Sequence, residues 1–358
     1  MARDFHALTI ADVRHETEDA VSIAFAVPAA LRTIFRFTPG QYLTLKASIG
    51  QDELRRTYSI CSGLDEGELR VAVKQIDGGR FSSFANSNLA PGQTIEVMPP
   101  LGNFGIAPDP AAKRLYVGLA CGSGITPIMS IIKSMLGREP NSRFVLLYGN
   151  RTTASILFRD ALDDLKDRFL ERLSVFHVLS RETQDLEALN GRLDADKIRL
   201  LLRHDGDPKA IDHAFVCGPG SMLDEAQATL QELGIPAERI HLERFTPSEG
   251  GMAPPAPRPT KTEATGQAVA EILLDGSRHR IQVAAGESIV DAALRSGLEL
   301  PYSCRGGMCC TCRAKVLEGS VEMAVNYSLE PWEMQAGYTL TCQARPTSAK
   351  VVLDYDQV

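Results

Sequence analysis

Four of the eight cysteines in this 358-residue chain fall within nine residues, in PYSCRGGMCCTC at 301–312. Cys304, Cys309 and Cys312 have four and two residues between them, and Cys342 follows at a distance in TLTCQA. This is the plant-type spacing for thiolates around a 2Fe-2S cluster. Gly306 and Gly307 would let the backbone turn its N–H groups toward anionic sulfur. A zinc site fits less well, because zinc loops pair cysteines as CxxC with a second CxxC instead of winding three ligands around one loop. Buried thiols alone give no reason for the spacing. Replacing Cys309 by Cys310 would give intervals of five and one, so Cys310 is expected to be unligated. A disulfide scaffold is unsuited to so few cysteines in a chain this long.

The rest of the chain is too long for one core, and its rhythm changes twice. Residues 1–107 carry short alternating runs, among them AVSIAFAV, YLTLKA, ELRVAVKQI and TIEVM, separated by Gly, Pro and Asp; this pattern predicts an antiparallel β-barrel. Residues 108–247 alternate apolar strands (RLYVGLAC, RFVLLYG, RLSVFHVL, HAFVC) with helical segments (TPIMSIIKSML, GSMLDEAQATLQEL), which predicts a doubly wound α/β sheet. Clustered prolines and small polar residues between Thr246 and Gln267 mark 248–266 as a linker. Residues 267–358 form a third, compact domain with two strands, AVAEILLD and RHRIQV, and a helix opened by Ser288 and Asp291 and closed by Gly297.

A formal charge of −7 without single-sign blocks gives no footprint for nucleic acid. No apolar run approaches a membrane span, and the polar opening is no signal peptide, so a cytosolic protein with neither partner is expected.

Several short motifs carry chemistry. RTYS at 56–59 ends a barrel strand, where in isolation it reads as an exposed Arg and a packed Tyr. GGRFSS at 78–83 is a glycine-rich turn into a short helix, an arrangement that cradles phosphate on backbone N–H groups. GSGITP follows RLYVGLAC; Gly122 and Gly124 permit close backbone approach, Thr126 is placed to cap, and Pro127 suits the first helical turn. A plain tight turn is the alternative. CGPG at 217–220 ends the last apolar strand, where a cysteine is most often a small buried hydrophobe.

RTYS and GGRFSS, in this order and ahead of an α/β domain, resemble the ferredoxin-NADP reductase superfamily over residues 1–247. The resemblance implies FAD. By position, Arg56 would meet its diphosphate beside Thr57, Tyr58 would stack on the isoalloxazine and Ser59 would lie near the reactive flavin nitrogen. Gly79, Arg80, Phe81 and Ser82 would line the diphosphate turn. Cys217 and Gly218 would lie where nicotinamide meets flavin, with Glu243 and Phe245 of LERF at the flavin edge; Ser59, Cys217 and Glu243 are the catalytic candidates. YGNRTT offers Arg151 and two threonines in place of the acidic residue that binds a free ribose 2′-hydroxyl, which favours NADPH; Arg159 competes for the same role. Residues 267–358 resemble plant and cyanobacterial ferredoxins in the four ligands, the PYSCR entry and the preceding helix, implying an α+β, β-grasp-like fold and one-electron transfer.

RFTPGQYLTLKA, ELRRTYSIC, YGNRT, HLERF and NYSLEP extend the resemblance over nearly the whole chain, to the reductase components of phenylacetyl-CoA epoxidase, a bacterial multicomponent oxygenase. That likeness implies delivery of electrons from NADPH through FAD and the 2Fe-2S cluster to a di-iron monooxygenase component. Competing readings are the reductase of a Rieske-type or other di-iron oxygenase, which needs the same cofactors, and a redox-sensing assembly protein. Hydride arrives as an electron pair and a cluster takes one electron at a time, so a flavin must stand between them.

Overall fold

The computed structural model describes residues 4–245 and 268–357; the linker expected at 248–266 lies outside the described residues. The chain divides into two compact units, one built on Phe5–Leu54 and Tyr58–Phe245 and the other on the C-terminal chain, to which Arg55–Thr57 in the middle of a barrel strand are also assigned.

In the first unit six strands, β1 (His6–Thr17), β2 (Ala20–Ala26), β3 (Tyr42–Ile49), β4 (Asp52–Ser59), β5 (Leu69–Lys74) and β6 (Thr94–Leu101), with α1 (Arg80–Asn88) between β5 and β6, form an antiparallel sheet of order β4-β3-β6-β1-β2-β5. Ile60, just past β4, bridges Val71 of β5, and the Cys61 N–H donates to the Arg70 carbonyl at 2.9 Å. The two edge strands thereby meet and the sheet closes into a barrel, leaving no edge to template aggregation. Alternate residues such as Leu43, Leu45, Val71, Val73, Ile95 and Val97 fill the interior, as period-two patterning requires.

Five parallel strands follow, β7 (Leu115–Cys121), β8 (Arg143–Asn150), β9 (Leu173–Leu179), β10 (His213–Gly218) and β11 (Ile240–Arg244), in the order β11-β10-β7-β8-β9. The linking helices are α2 (Ile125–Arg138), α3 (Arg159–Arg168), α4 (Ala195–Asp205) and α5 (Gly220–Glu232). The two faces of the sheet belong to separate cores, one packed by α2 and α3, the other by α4 and α5. Burial on both faces explains why these strands read as continuous apolar runs. Barrel residues Cys61, Ala72 and Phe104 join the α2 core, and Phe104 stands edge-on to Phe215 at 5.7 Å. Barrel and sheet therefore share one interior. The strand order reverses between β7 and β10, which is the switch point where open α/β sheets bind ligands.

The second unit has a mixed sheet of order β13-β12-β18-β14-β16, from β12 (Ala268–Leu274), β13 (Ser277–Val283), β14 (Arg313–Glu318), β16 (Tyr338–Leu340) and β18 (Lys350–Asp354). A small ribbon pairs β15 (Val321–Met323) with β17 (Ala344–Pro346). Helix α6 (Ile289–Arg295) packs Ile289, Ala292 and Ala293 on the sheet, and α7 is a short helix at Pro331–Gln335. The expected start of α6 is observed: Ser288 Oγ accepts from the Asp291 N–H, and Gly297 takes a φ of +73°. Such a cap contributes about 1 kcal/mol. No helix among the described residues is long and apolar enough to cross a membrane.

Candidate functional site

The cysteine loop at 304–312, ahead of β14, turns on three left-handed residues, Arg305, Gly307 and Cys310. Gly307 has φ +76°, and a Cβ there would come within 3.1 Å of the Val325 carbonyl, so glycine is required on both counts. The turns aim amides at sulfur: Gly306 N–H donates to Cys304 Sγ at 3.4 Å, and Cys304 N–H to Cys309 Sγ at 3.5 Å. Gln343 Nε2 reaches Cys342 Sγ at 3.8 Å. The thiols meet in two pairs, Cys304 with Cys309 and Cys312 with Cys342. The Cys304 thiol is drawn down to about 6, first by its hydrogen bond with Cys309 and then, against burial, by the amides of Met308, Gly306 and Cys309. Cys310 turns away and donates to the Ser328 carbonyl at 3.4 Å. Among the described residues no three metal-ligating side chains close on one point. Thiols arranged two by two, in a nest of N–H donors, suit a two-iron cluster better than a mononuclear ion.

In the first unit, residues far apart in sequence converge. Ser59 Oγ, at the end of β4, donates to Glu243 Oε2 on β11 at 3.1 Å, and Cys217 Sγ on the neighbouring β10 lies 3.9 Å from the same oxygen. Cys217 and Glu243 are register partners in the parallel pair. Burial pushes the Glu243 carboxyl up to about 7, against the hydrogen bonds from Ser59 and Cys217. Burial, with Glu243 beside it, also holds the Cys217 thiol well above its usual range. A carboxyl that titrates near neutrality beside a hydroxyl, where barrel and sheet share a core, is a site built to hold or release a proton.

Gly124 packs against this cluster from the other side of the switch point, since a Cβ there would stand 2.1 Å from the Cys217 carbonyl oxygen. The loop at Gly122–Gly124 is a 3-10 turn leading into α2, pinned by the Tyr148 hydroxyl donating to the Gly122 carbonyl at 3.0 Å. Thr126 does not cap α2. It sits within the first turn and donates to the Ser123 carbonyl, while Gly124 occupies the cap position with no side chain to offer. The Ile125 N–H is taken by the carbonyls of Gly122 and Ser123, and Pro127 has no N–H to offer.

On the barrel, Gly79 caps α1, and the first helical bond runs from the Ser83 N–H to the Gly79 carbonyl. Phe81 is buried in the barrel core, and Ser82 Oγ donates to the Gly79 carbonyl and accepts from the Ile76 N–H. These two side chains shape the turn, so what they can offer a phosphate is their backbone N–H. The Arg80 guanidinium rests on Asp52 and the Ile49 carbonyl, both at 2.8 Å. Tyr58 leans on Phe81, ring centres 5.7 Å apart, and Arg56 and Thr57 stand half-buried in β4, Arg56 donating to the Arg55 carbonyl at 2.8 Å. Phe245 packs partly buried against the α2 core.

At the end of β8 Arg151 is exposed, while the two threonines are committed elsewhere. Thr152 forms a capping box with Ser155. The Thr153 N–H and hydroxyl both donate to the Glu182 carboxylate, each at 2.7 Å. Glu182 comes from the loop after β9, so no local reading of YGNRTT reveals it. Arg159 opens α3, and Gly218 is buried at the end of β10.

Comparison with known proteins agrees with this architecture. The family model of an oxidoreductase FAD-binding domain matches residues 7–106, that of an oxidoreductase NAD-binding domain residues 119–228, and that of a 2Fe-2S iron-sulfur cluster binding domain residues 272–347. The chain is 49% identical, over 98% of both chains, to a component of the 1,2-phenylacetyl-CoA epoxidase of Escherichia coli K12. The chain belongs to the ferredoxin-NADP reductase superfamily. Another superfamily relative is the ferredoxin reductase component of 3-ketosteroid-9-alpha-monooxygenase from Rhodococcus rhodochrous, 36% identical over 97% of this chain and 96% of that one. Phthalate dioxygenase reductase, described as a modular structure for electron transfer from pyridine nucleotides to [2Fe-2S], covers 98% of both chains with a TM-score of 0.58 and 23% identity, and shows the shared fold. As a superfamily member with all three domains, the chain is an NAD(P)H-dependent flavin and iron-sulfur oxidoreductase.

Proposed function

We propose that this protein is the reductase component of a multicomponent di-iron oxygenase of the phenylacetyl-CoA epoxidase type, supplied by NADPH in the cytoplasm. The observation that carries the reading is the 49% identity over 98% of both chains to the Escherichia coli epoxidase component. When bound, the flavin would supply the conversion of one hydride, an electron pair, into two single electrons, which the 2Fe-2S cluster would carry one at a time.

The chain's own residues hold and order these groups. Cys304 and Cys309 would hold one iron and Cys312 and Cys342 the other, following the pairs in which the thiols meet. Arg56, Thr57, Tyr58 and the Gly79–Ser82 turn would hold FAD, with the α1 amides on its diphosphate. Gly122, Gly124, Thr126 and Gly218 would frame the nucleotide at the switch point, and Phe245 would shield the flavin edge. Ser59, Cys217 and Glu243 would exclude water where nicotinamide meets flavin, with Glu243 Oε2 placed to take the proton that remains once the two electrons of the hydride have passed to the cluster.

Purified protein loaded with FAD and iron should couple NADPH oxidation to turnover of phenylacetyl-CoA when mixed with the Escherichia coli epoxidase oxygenase component. Coupling only to a Rieske-type oxygenase would move it to the rival system.

Glu243 gives a pH signature. Its folded value near 7 exceeds the usual 4.5, so the folded state binds an extra proton between these limits. The stabilisation is present below pH 4.5 and is lost as pH rises through 7. Because the carboxyl is buried, the loss should be on the order of 3 kcal/mol. Melting curves from pH 5 to 8 should fall less steeply in Glu243→Gln than in the native protein; parallel curves would mean that Glu243 titrates normally.

Glu182 bears on nucleotide choice. Its carboxylate occupies the donors of Thr153 at the strand end where a ribose 2′-group is read, and it would repel a 2′-phosphate held by Arg151. Glu182→Gln should raise the ratio of kcat/KM for NADPH over NADH by about tenfold, or about 1.4 kcal/mol. An unmoved ratio places Glu182 away from the ribose.

A further inference from the structure

Nine large apolar side chains among the described residues are more than a third exposed, and three of them, Tyr327, Trp332 and Met334, lie within eight residues of each other. Trp332, the only tryptophan of the chain, is 61% exposed, Tyr327 49% and Met334 42%. The segment that displays them rests directly on the cluster loop. The Tyr327 N–H and Ser328 hydroxyl both donate to the Gly307 carbonyl, at 3.0 and 3.2 Å, and Cys310 Sγ donates to the Ser328 carbonyl. The platform is stiff: Glu330 and Glu333 form a capping box on α7, Pro331 opens the helix, and buried Glu333 pairs with Arg313 at 3.0 Å.

Within the segment itself the charge is of one sign. Residues 321–337, VEMAVNYSLEPWEMQAG, contain three glutamates and no lysine or arginine. Glu333 is turned inward, while Glu322 and Glu330 are exposed. A preorganised aromatic anchor with an acidic rim has the composition of an interface core, where Trp, Tyr and Met are enriched and a single Trp often dominates binding.

We propose that Tyr327, Trp332 and Met334 form the surface on which the electron acceptor docks, and that the acceptor is a separate one-electron metalloprotein whose redox centre lies beneath an apolar patch ringed by Lys and Arg. The proposal rests on the reductase function above and adds the face through which electrons leave. Each encounter passes one electron from the cluster domain to one acceptor metal centre, so one NADPH serves two encounters. The cationic rim matches the exposed glutamates and makes association fall with ionic strength.

Cytochrome c, with a haem edge surrounded by lysines, is the probe for the test. Ferricyanide, a small anion that needs no docking surface, is the control. Trp332→Ala and, separately, Met334→Ser should lower kcat/KM for cytochrome c reduction at least tenfold for the tryptophan and several-fold for the methionine. NADPH-driven ferricyanide reduction and cluster absorbance should not change. Without any turnover, oxidised cytochrome c should quench Trp332 emission saturably at low salt, and 0.5 M NaCl should abolish the quenching. Unaltered cytochrome c kinetics in both variants, or quenching without saturation, overturns the docking surface while leaving the reductase reading intact. Native protein that fails to reduce ferricyanide overturns both.

Discussion

Cys309→Ser is expected to remove the visible absorbance of the 2Fe-2S cluster and to lower NADPH-driven cytochrome c reduction about 100-fold, a loss of about 2.7 kcal/mol in transition-state stabilisation, while anaerobic flavin reduction by NADPH proceeds at its native rate. The sulfur of Cys309 is buried, paired with Cys304 and served by the Cys304 amide. A serine hydroxyl is shorter and a poor thiolate substitute, and neighbouring Cys310 cannot replace it, because its φ of +50° points its sulfur to the Ser328 carbonyl. The flavin-side residues Ser59, Cys217 and Glu243 belong to the other compact unit, with its own cores, so hydride transfer should survive. Iron analysis and stopped-flow absorbance read the two halves separately. A cluster that persists in Cys309→Ser would dismiss the ligand set, and simultaneous loss of flavin reduction would dismiss the picture of independent relays.

The cluster loop was legible in the sequence because metal ligation demands one residue type at fixed intervals, and no packing context can substitute for a missing thiolate. The parallel strands were legible for a related reason: burial on both faces leaves continuous apolar runs such as HAFVC and RFVLLYG. What stayed hidden was set by contacts between distant segments. Barrel closure depends on Ile60 bridging Val71, and neither residue announces it. The chemistry-bearing residues were placed through family likeness, but the hydrogen bond between Ser59 and Glu243, 184 positions apart, exists only because β4 and β11 end at the same place. Local rules also failed where tertiary packing overrode them. Thr126 has the chemistry of a cap, yet close approach of Gly124 to Cys217 starts the helix earlier and places Thr126 in its first turn. Thr152 and Thr153 looked free to serve a phosphate until Ser155 and Glu182 were seen to engage them.

Gly124→Ala should slow flavin reduction by NADPH about 100-fold with FAD and cluster contents unchanged. The added Cβ would stand 2.1 Å from the Cys217 carbonyl oxygen and 2.5 Å from its carbon, and both are backbone atoms that no rotamer change can move. Relief to an ordinary contact requires a displacement of roughly 1 Å, and a misplacement of that size can cost about 100-fold in a step that depends on near-attack geometry. Cys217 pairs with Glu243 across the strands, so the shift would carry the carboxyl away from Ser59 as well. Gly122→Ala is the informative contrast. Gly122 has φ +55° but open space where its Cβ would go, so alanine there costs only the left-handed strain of about 1–2 kcal/mol in stability and should leave the hydride rate nearly native. If the two alanine variants slow flavin reduction equally, backbone strain in the loop is responsible, and the close approach of Gly124 to Cys217 has no part in positioning the nicotinamide.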